Sequence, residues 1–221
     1  RPLFFDSVYK SPSGEKYSVS SLRFFLSDIA LAKSTGTENT VITETANDVY
    51  CMDFSKMTAK DGQNCKIQFK VKEGSYSDIR FNMGVPRSLN HADPATSKYP
   101  LDLSNGEMYW NWNSGYIFFL AEGKGEDVYK NSFHLAIGSD QRIMPFSFGN
   151  LFDVVPLIKV EKDKITALKF SFDFNEFLIN ADKTPYSFKT FDPANVHGGY
   201  YADMLRLNIL NSLHFVSAEV K

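Results

Sequence analysis

Four histidines, His91, His134, His197 and His214, are the side chains of this 221-residue chain best suited to hold a reactive centre. A neutral imidazole is the commonest metal-binding side chain and suits copper and zinc alike. His91 stands in the polar run Asn90-His91-Ala92-Asp93-Pro94, where a solvated turn residue is the plain alternative to a ligand. His134 lies in the apolar stretch Phe133–Gly138, and strand alternation turns it away from Phe133 and Leu135. That points it toward a polar cleft, or makes it an ordinary hydrogen-bonded histidine. His197 precedes Gly198-Gly199 at a helix start and is the candidate third ligand, with a loop or capping role as its alternative. His214, after the helix, reads as core or edge packing. Between His91 and His134 stand the two tryptophans of the chain, Trp110 and Trp112, which share a face if their strand is regular. Oxidisable indoles between two imidazoles suggest a soft-metal site. Asn90 or Asp93 is expected to accept from the second ring nitrogen of His91.

Other chemistry is poorly supplied. Gly-x-Ser-x-Gly, Walker, His-Glu-x-x-His and Gly-x-Gly-x-x-Gly patterns are missing from the sequence. The carboxylate pairs Glu122/Glu126 and Asp173/Glu176 read as exposed turn residues rather than as an acid and a base. Cys51 and Cys65 flank the polar turn Lys60-Asp61-Gly62-Gln63-Asn64. They either clip that excursion by a disulfide in an oxidising compartment or are two free core thiols.

The elements that must position these residues are mostly strands. Leu3–Tyr9 reads as a first strand, and Tyr17–Ala32 as a strand or short helix feeding a second strand. Val41–Met52 begins a further edge after the loop Ser34–Thr40. Cys65–Lys72 alternates apolar and basic residues with period two, as a half-solvated strand does. Ile79–Val85, Tyr109–Ala121 with a break at Asn113-Ser114-Gly115, Phe133–Gly138 and Ile143–Phe148 follow. Asp153–Glu161 and Lys164–Asn175 read as a hairpin, and Gly199–Leu213 as the one convincing helix. Twenty Phe and eleven Tyr favour pleated, half-buried surfaces. The expectation is a single all-β domain over 1–221, an antiparallel, jelly-roll-like β-sandwich with a short C-terminal helix. A net charge of −2 removes any broad electrostatic case for nucleic acid or an acidic membrane surface. The apolar runs are too short to span a bilayer as helices. The opening Arg1-Pro2-Leu3 shows no signal peptide, so the numbering is read as starting after a removed targeting segment or lipid anchor.

Several motifs together resemble one family. Tyr17–Asp28 (YSVSSLRFFLSD) looks like the opening of MbnP-like proteins, the methanobactin-operon-associated copper proteins of the bacterial envelope. Phe81–Pro86 followed by Leu89-Asn90-His91 is similar to a Gly-Val-Pro…Asn-His segment of that family. Tyr99-Pro100-Leu101, Met108–Trp112 and Gly115–Phe118 resemble its Trp-x-Trp…Gly-Tyr segment, and Phe133–Gly138 resembles its "f.fHiG". The order is kept from residue 17 to 138, with a looser likeness continuing to the C-terminal helix. The resemblance implies a β-rich domain exported to the periplasm or held at the outer membrane or cell surface by an N-terminal lipid anchor. It also implies copper, as Cu(I) or Cu(II), bound through histidine nitrogens, carried over here onto His91 and His134. Some relatives also use a tryptophan oxidised to kynurenine by a di-haem peroxidase-like partner. Residues 92–98 contain no tryptophan, so Trp110 and Trp112 are the ones available.

Three functions compete at this point. The first is a non-enzymatic copper protein of the envelope, for uptake, storage or delivery, with His91, His134 and His197 as ligands. The second is an adhesion or binding module that displays aromatic loops, motivated by the Phe and Tyr surplus. The third, a metal-dependent enzyme on the same histidines, lacks an identifiable base.

Overall fold

The computed structural model describes residues 3–33, 42–46, 48–54, 65–125, 132–149, 158–189 and 191–221. The turn 60–64, the loop 34–40 and Glu126 lie outside the described residues. The chain begins with a short β1 (Tyr9–Lys10) and then β2 (Lys16–Lys33), an 18-residue strand that organises the molecule. After β3 (Ile42–Ala46), β4 (Tyr50–Asp53), β5 (Gly74–Tyr76) and β6 (Asp78–Met83) comes a single helical turn, α1 (Arg87–Asn90). Four strands follow, β7 (Tyr109–Asn111), β8 (Gly115–Gly125), β9 (Phe133–Gly138) and β10 (Met144–Ser147). Then come β11 (Ile158–Val160), β12 (Thr166–Phe172), the turns α2 (Phe174–Phe177) and α3 (Phe191–Ala194), and β13 (Asn195–Val196). The chain closes with helix α4 (Gly199–Ser212) and strand β14 (Leu213–Val220).

Among the described residues ten strands make one large curled sheet, ordered β10-β6-β2-β8-β9-β13, with β1, β3 and β4 against β2 and β7 against β8. Its strand pairs among the described residues are antiparallel except that of β13 with β9. The fold is therefore the mostly-β, antiparallel one the sequence predicts. The curl is built into β2. Its first half pairs with β8, Tyr17↔Gly125 to Phe24↔Phe119, and its second half with β6, Leu26↔Met83 to Ala32↔Asp78. Between Ser27 and Ala30 the register slips, and Asp28 sits at φ 52° there with its carboxylate taking a 2.8 Å bond from Asn82 Nδ2. An extra residue in one strand bends it and deepens the local twist, so one strand can serve both halves of the curl.

The second layer is the β12–β14 ribbon with α2 and α4. Phe170 meets Phe81 edge-on at 5.5 Å, while Phe119 packs on Phe172 at 5.6 Å and on Phe177 at 5.3 Å. Each such ring, taken out of water, contributes ~1.5–3 kcal/mol before entropy is counted. Most of the Phe surplus is spent here, inside the molecule.

Four sequence expectations are corrected. Of the expected 153–175 hairpin, 153–157 lie outside the described residues, and the described arms pair elsewhere, β11 with β5 and β12 with β14. The strand β14 was not anticipated at all. Residues 65–72 alternate half-buried and exposed side chains as expected, but carry no strand ladder. Of the first strand only Tyr9–Lys10 is ladder-bonded. Cys51 and Cys65 are not joined by a disulfide and pack at the edge of the core, and burial pushes the Cys65 thiol up to about 11. A thiol held that high is protonated and inert at neutral pH.

Candidate metal centre

His91 is placed by a short chain of backbone and side-chain bonds. Pro86 stops β6, and the amides of Leu89 and Asn90 both return to its carbonyl, closing the single turn α1. That turn drops Asn90 into the core at 0% exposure and leaves His91 at the surface. Asn90 Oδ1 accepts from the Tyr116 amide at 2.8 Å, and its Nδ2 donates to Asp140 Oδ1 at 2.8 Å. Gly115 has φ 75°, and a Cβ there would sit 2.4 Å from Asn90 Oδ1. Asn90 and Gly115-Tyr116, far apart in the chain, are thus two halves of one joint.

The His91 ring is flanked by acceptors. Nδ1 lies 3.0 Å from the Trp112 carbonyl, and Nε2 lies 3.2 Å from both oxygens of Asp140. A carbonyl can only accept, so Nδ1 carries the hydrogen. The Trp112 carbonyl and then Asp140 raise the His91 pKa; desolvation, the largest single cause at Asp140, pushes its carboxyl up, and Asn90, His91 and Arg87 together hold it below its ordinary value. Asp140 is also 3.3 Å from Arg87 Nε. It follows Ser139, which holds φ 92°, ψ 151°, a conformation that costs a non-glycine residue ~1–3 kcal/mol and tends to collect at functional sites.

His134 belongs to a different group. Cross-strand pairing sets it opposite Glu122 of β8, and its Nδ1 is 2.9 Å from Glu122 Oε1. Arg23 of β2 stands behind, with Nη2 3.8 Å from Glu122 and 2.8 Å from Glu107. β13 runs parallel to β9 with Asn195↔His134 and Val196↔Leu135, which brings His197 alongside. The rings of His134 and His197 stack at 4.8 Å and 28°. Desolvation first, and the neighbouring His134 second, lower the pKa of His197.

A cleft of about 680 Å³ joins these groups along one face of β9, lined by His91, Trp110, Gly138, Asp140, Arg142 and His197 among others. Trp110 lies against Gly138, where a Cβ would come within 2.9 Å of its ring. Arg142 reaches across to Asp203 of α4 at 2.7 Å and closes one wall. The structure therefore places His91 and His197 on one cleft and stacks His134 behind His197. It does not bring His91 and His134 to one point. His134 and Gly138 are four positions apart along β9, ~13 Å at strand rise, and His91 is tied beyond that, at Asp140. Among the described residues no set of three or more His, Cys, Asp or Glu is already arranged around an ion position.

Several side chains take roles other than those expected. Asp93 is not the acceptor for His91, since it caps its own turn through the Ala95 amide and the Thr96 and Ser97 hydroxyls. Asn90 serves Asp140 rather than the ring. Asp140, in the link between Phe133–Gly138 and Ile143–Phe148, is the true neighbour, and Glu122 is a strand residue paired with His134. Trp110 and Trp112 do not share a face. β7 ends at Asn111, whose Oδ1 takes the Asn113 and Ser114 amides at 2.9 Å, so Trp112 sits in the turn at 76% exposure. Counted back from Gly138, the histidine of the "f.fHiG" pattern falls at Ala136, so the carry-over onto His134 is two residues out of register. His197, one step past the Val196↔Leu135 pair, lies beside Ala136. His214 is on the edge strand, bonded to Glu176.

Comparison with known proteins agrees with this architecture. MbnP from Methylosinus trichosporium has a similar fold, with TM-score 0.51 and 16% identity over 90% of this chain and 76% of that one. No curated protein gives a significant match. The MbnP family model matches residues 1–197, which include every element that lines the cleft up to His197, and the chain belongs to the MbnP family.

Proposed function

We propose that this is a non-enzymatic, exported copper-binding protein that carries its ion in the β9 cleft, with His91 and His197 as the nitrogen donors. One observation carries this reading: two imidazoles from distant parts of the chain line the same cleft. His197 is suited to the task because its lowered pKa keeps it neutral at pH 7, and neutral imidazole suits copper. Among the described residues no hydrogen bond engages either of its ring nitrogens, so they are open to an ion. His134, fixed at Nδ1 by Glu122, is the stacking partner of His197 rather than a donor to an ion held at His91. The donor set fits copper as cargo, and rotation of His197 off the stack is what would bring it toward His91. Membership of the MbnP family supports the copper assignment and the envelope location.

Metal titration of the purified protein tests this. About one copper per chain is expected, and His91→Ala with His197→Ala is expected to abolish binding. Unchanged stoichiometry in the double variant removes the reading. The aromatic-display alternative keeps only exposed rings such as Tyr99, Trp112 and Tyr200, since the Phe surplus is occupied in the core.

A further inference from the structure

We propose that Asp140 is itself a metal ligand: an ion in the cleft replaces the proton between His91 Nε2 and the Asp140 carboxylate, and this oxygen donor makes the site favour Cu(II) over Cu(I). The inference rests on the copper reading above and adds to it a residue and an oxidation-state preference.

The geometry around His91 supports it. Nδ1 is committed to the Trp112 carbonyl, so Nε2 is the nitrogen left for an ion, and Nε2 faces a carboxylate rather than a donor. Two acceptors on either side of one ring require a cation between Nε2 and the carboxylate. In the metal-free protein that cation is a proton. The separation also suits a metal. Two protein ligands each ~2.1 Å from one ion, at angles between right and tetrahedral, lie roughly 3.0–3.4 Å apart, and the observed Nε2···O separations are 3.2 Å.

Asp140 is also held as a ligand would be. Asn90, itself fully buried, fixes Oδ1 from inside the core. Ser139, strained at φ 92°, turns the chain where Gly138, Ser139 and Asp140 together form part of the cleft wall. Arg87 approaches Oδ2 from outside on a side chain that is 86% exposed and free to withdraw. Hard oxygen donors favour the divalent ion, whereas Cu(I) is selected by softer ligands. Two neutral imidazoles and one carboxylate leave a net single positive charge around Cu(II). When the ion enters, the Nε2 proton leaves to solvent and no redox partner is needed.

The test compares wild type with Asp140→Asn, an isosteric change that still accepts from Asn90. Affinities for Cu(II) and for Cu(I) are measured separately by chelator competition, with electron paramagnetic resonance of the Cu(II) form. Asp140→Asn is expected to weaken Cu(II) about tenfold or more, to change the copper hyperfine splitting, and to alter Cu(I) affinity less than about threefold. Equal weakening of both ions with an unchanged spectrum would show that Asp140 only positions His91, and would overturn the proposal. An unchanged Cu(II) affinity overturns it as well. Failure of the wild-type protein to bind either ion instead overturns the copper reading itself, so the two failures are distinguishable. Should Asp140→Asn not fold, the wild-type infrared difference spectrum on adding Cu(II) decides. A shifted carboxylate stretch that Asp140→Glu moves in frequency supports ligation, and its absence refutes it.

Discussion

At the Gly138 end of β9, His91 is ringed by acceptors, whereas at the Phe133 end His197 faces a second imidazole and little else. His91 gains protons from its surroundings, through the Trp112 carbonyl and Asp140, and is pushed up from the ordinary value of 6.5. His197 loses them, through desolvation and the adjacent His134, and is pushed down from 6.5. The same side chain is thus prepared in two opposite ways on one cleft. The His197 end offers a ready lone pair, and the His91 end offers a carboxylate and a replaceable proton. Desolvation leads at His197 and hydrogen-bonded acceptors lead at His91, so the two rings are pushed apart by different causes.

The largest effect expected is loss of copper binding in the His91→Ala, His197→Ala double variant. A single variant retaining full affinity would show that the two ends do not act on one ion. Next come changes to the joint beneath His91. Asn90→Ala leaves the buried Tyr116 amide unpaired, at a cost of ~1–3 kcal/mol, and Gly115→Ala drives a Cβ into Asn90 from a backbone with φ 75°. Both should lower the melting temperature and the copper affinity together. An affinity loss without destabilisation would place Asn90 in direct contact with the ion.

The pH behaviour sharpens the contrast further. By proton-resolved NMR of the metal-free protein, His91 should titrate above 6.5 and His197 below it. The linkage runs in opposite directions. The raised His91 value contributes stability that is complete below pH 6.5 and is lost as pH rises through its folded-state midpoint. The lowered His197 value contributes stability present above pH 6.5 and lost as pH falls through its own midpoint. His91→Ala should therefore remove only the first dependence, and His197→Ala only the second. Two midpoints on the same side of 6.5 would contradict the electrostatic account of the cleft. The smallest effect belongs to Glu122→Gln. The pair with His134 is about one-third exposed on each side, so its loss should change stability by ~1 kcal/mol or less. A larger loss in denaturant melts would show that Arg23 and Glu122 support the sheet as well as the ring.

What could be read before folding followed local rules. Alternation along Lys16–Lys33, Gly115–Gly125 and Phe133–Gly138 marks strands because side-chain direction repeats every two residues. The helix Gly199–Ser212 was visible from its spacing for the same kind of reason. His91 and His197 were legible as imidazoles in loops beside polar neighbours.

Partnership across the chain was not legible. Residues 65–72 have the alternation of a strand but no ladder, because alternation reports half-burial and not who lies alongside. β12 found β14 rather than its neighbour in sequence, and Asp140 rather than Asp93 came to face His91. Each of those outcomes depends on contacts between residues tens of positions apart. The amino-acid sequence by itself determined the mostly-β class, the positions of the imidazoles and the break at Asn113-Ser114-Gly115. Only the tertiary structure decided which histidines share a cleft and which carboxylate attends each one, because proton affinity and ligand reach depend on through-space neighbours, and the curl of the sheet is what selects them.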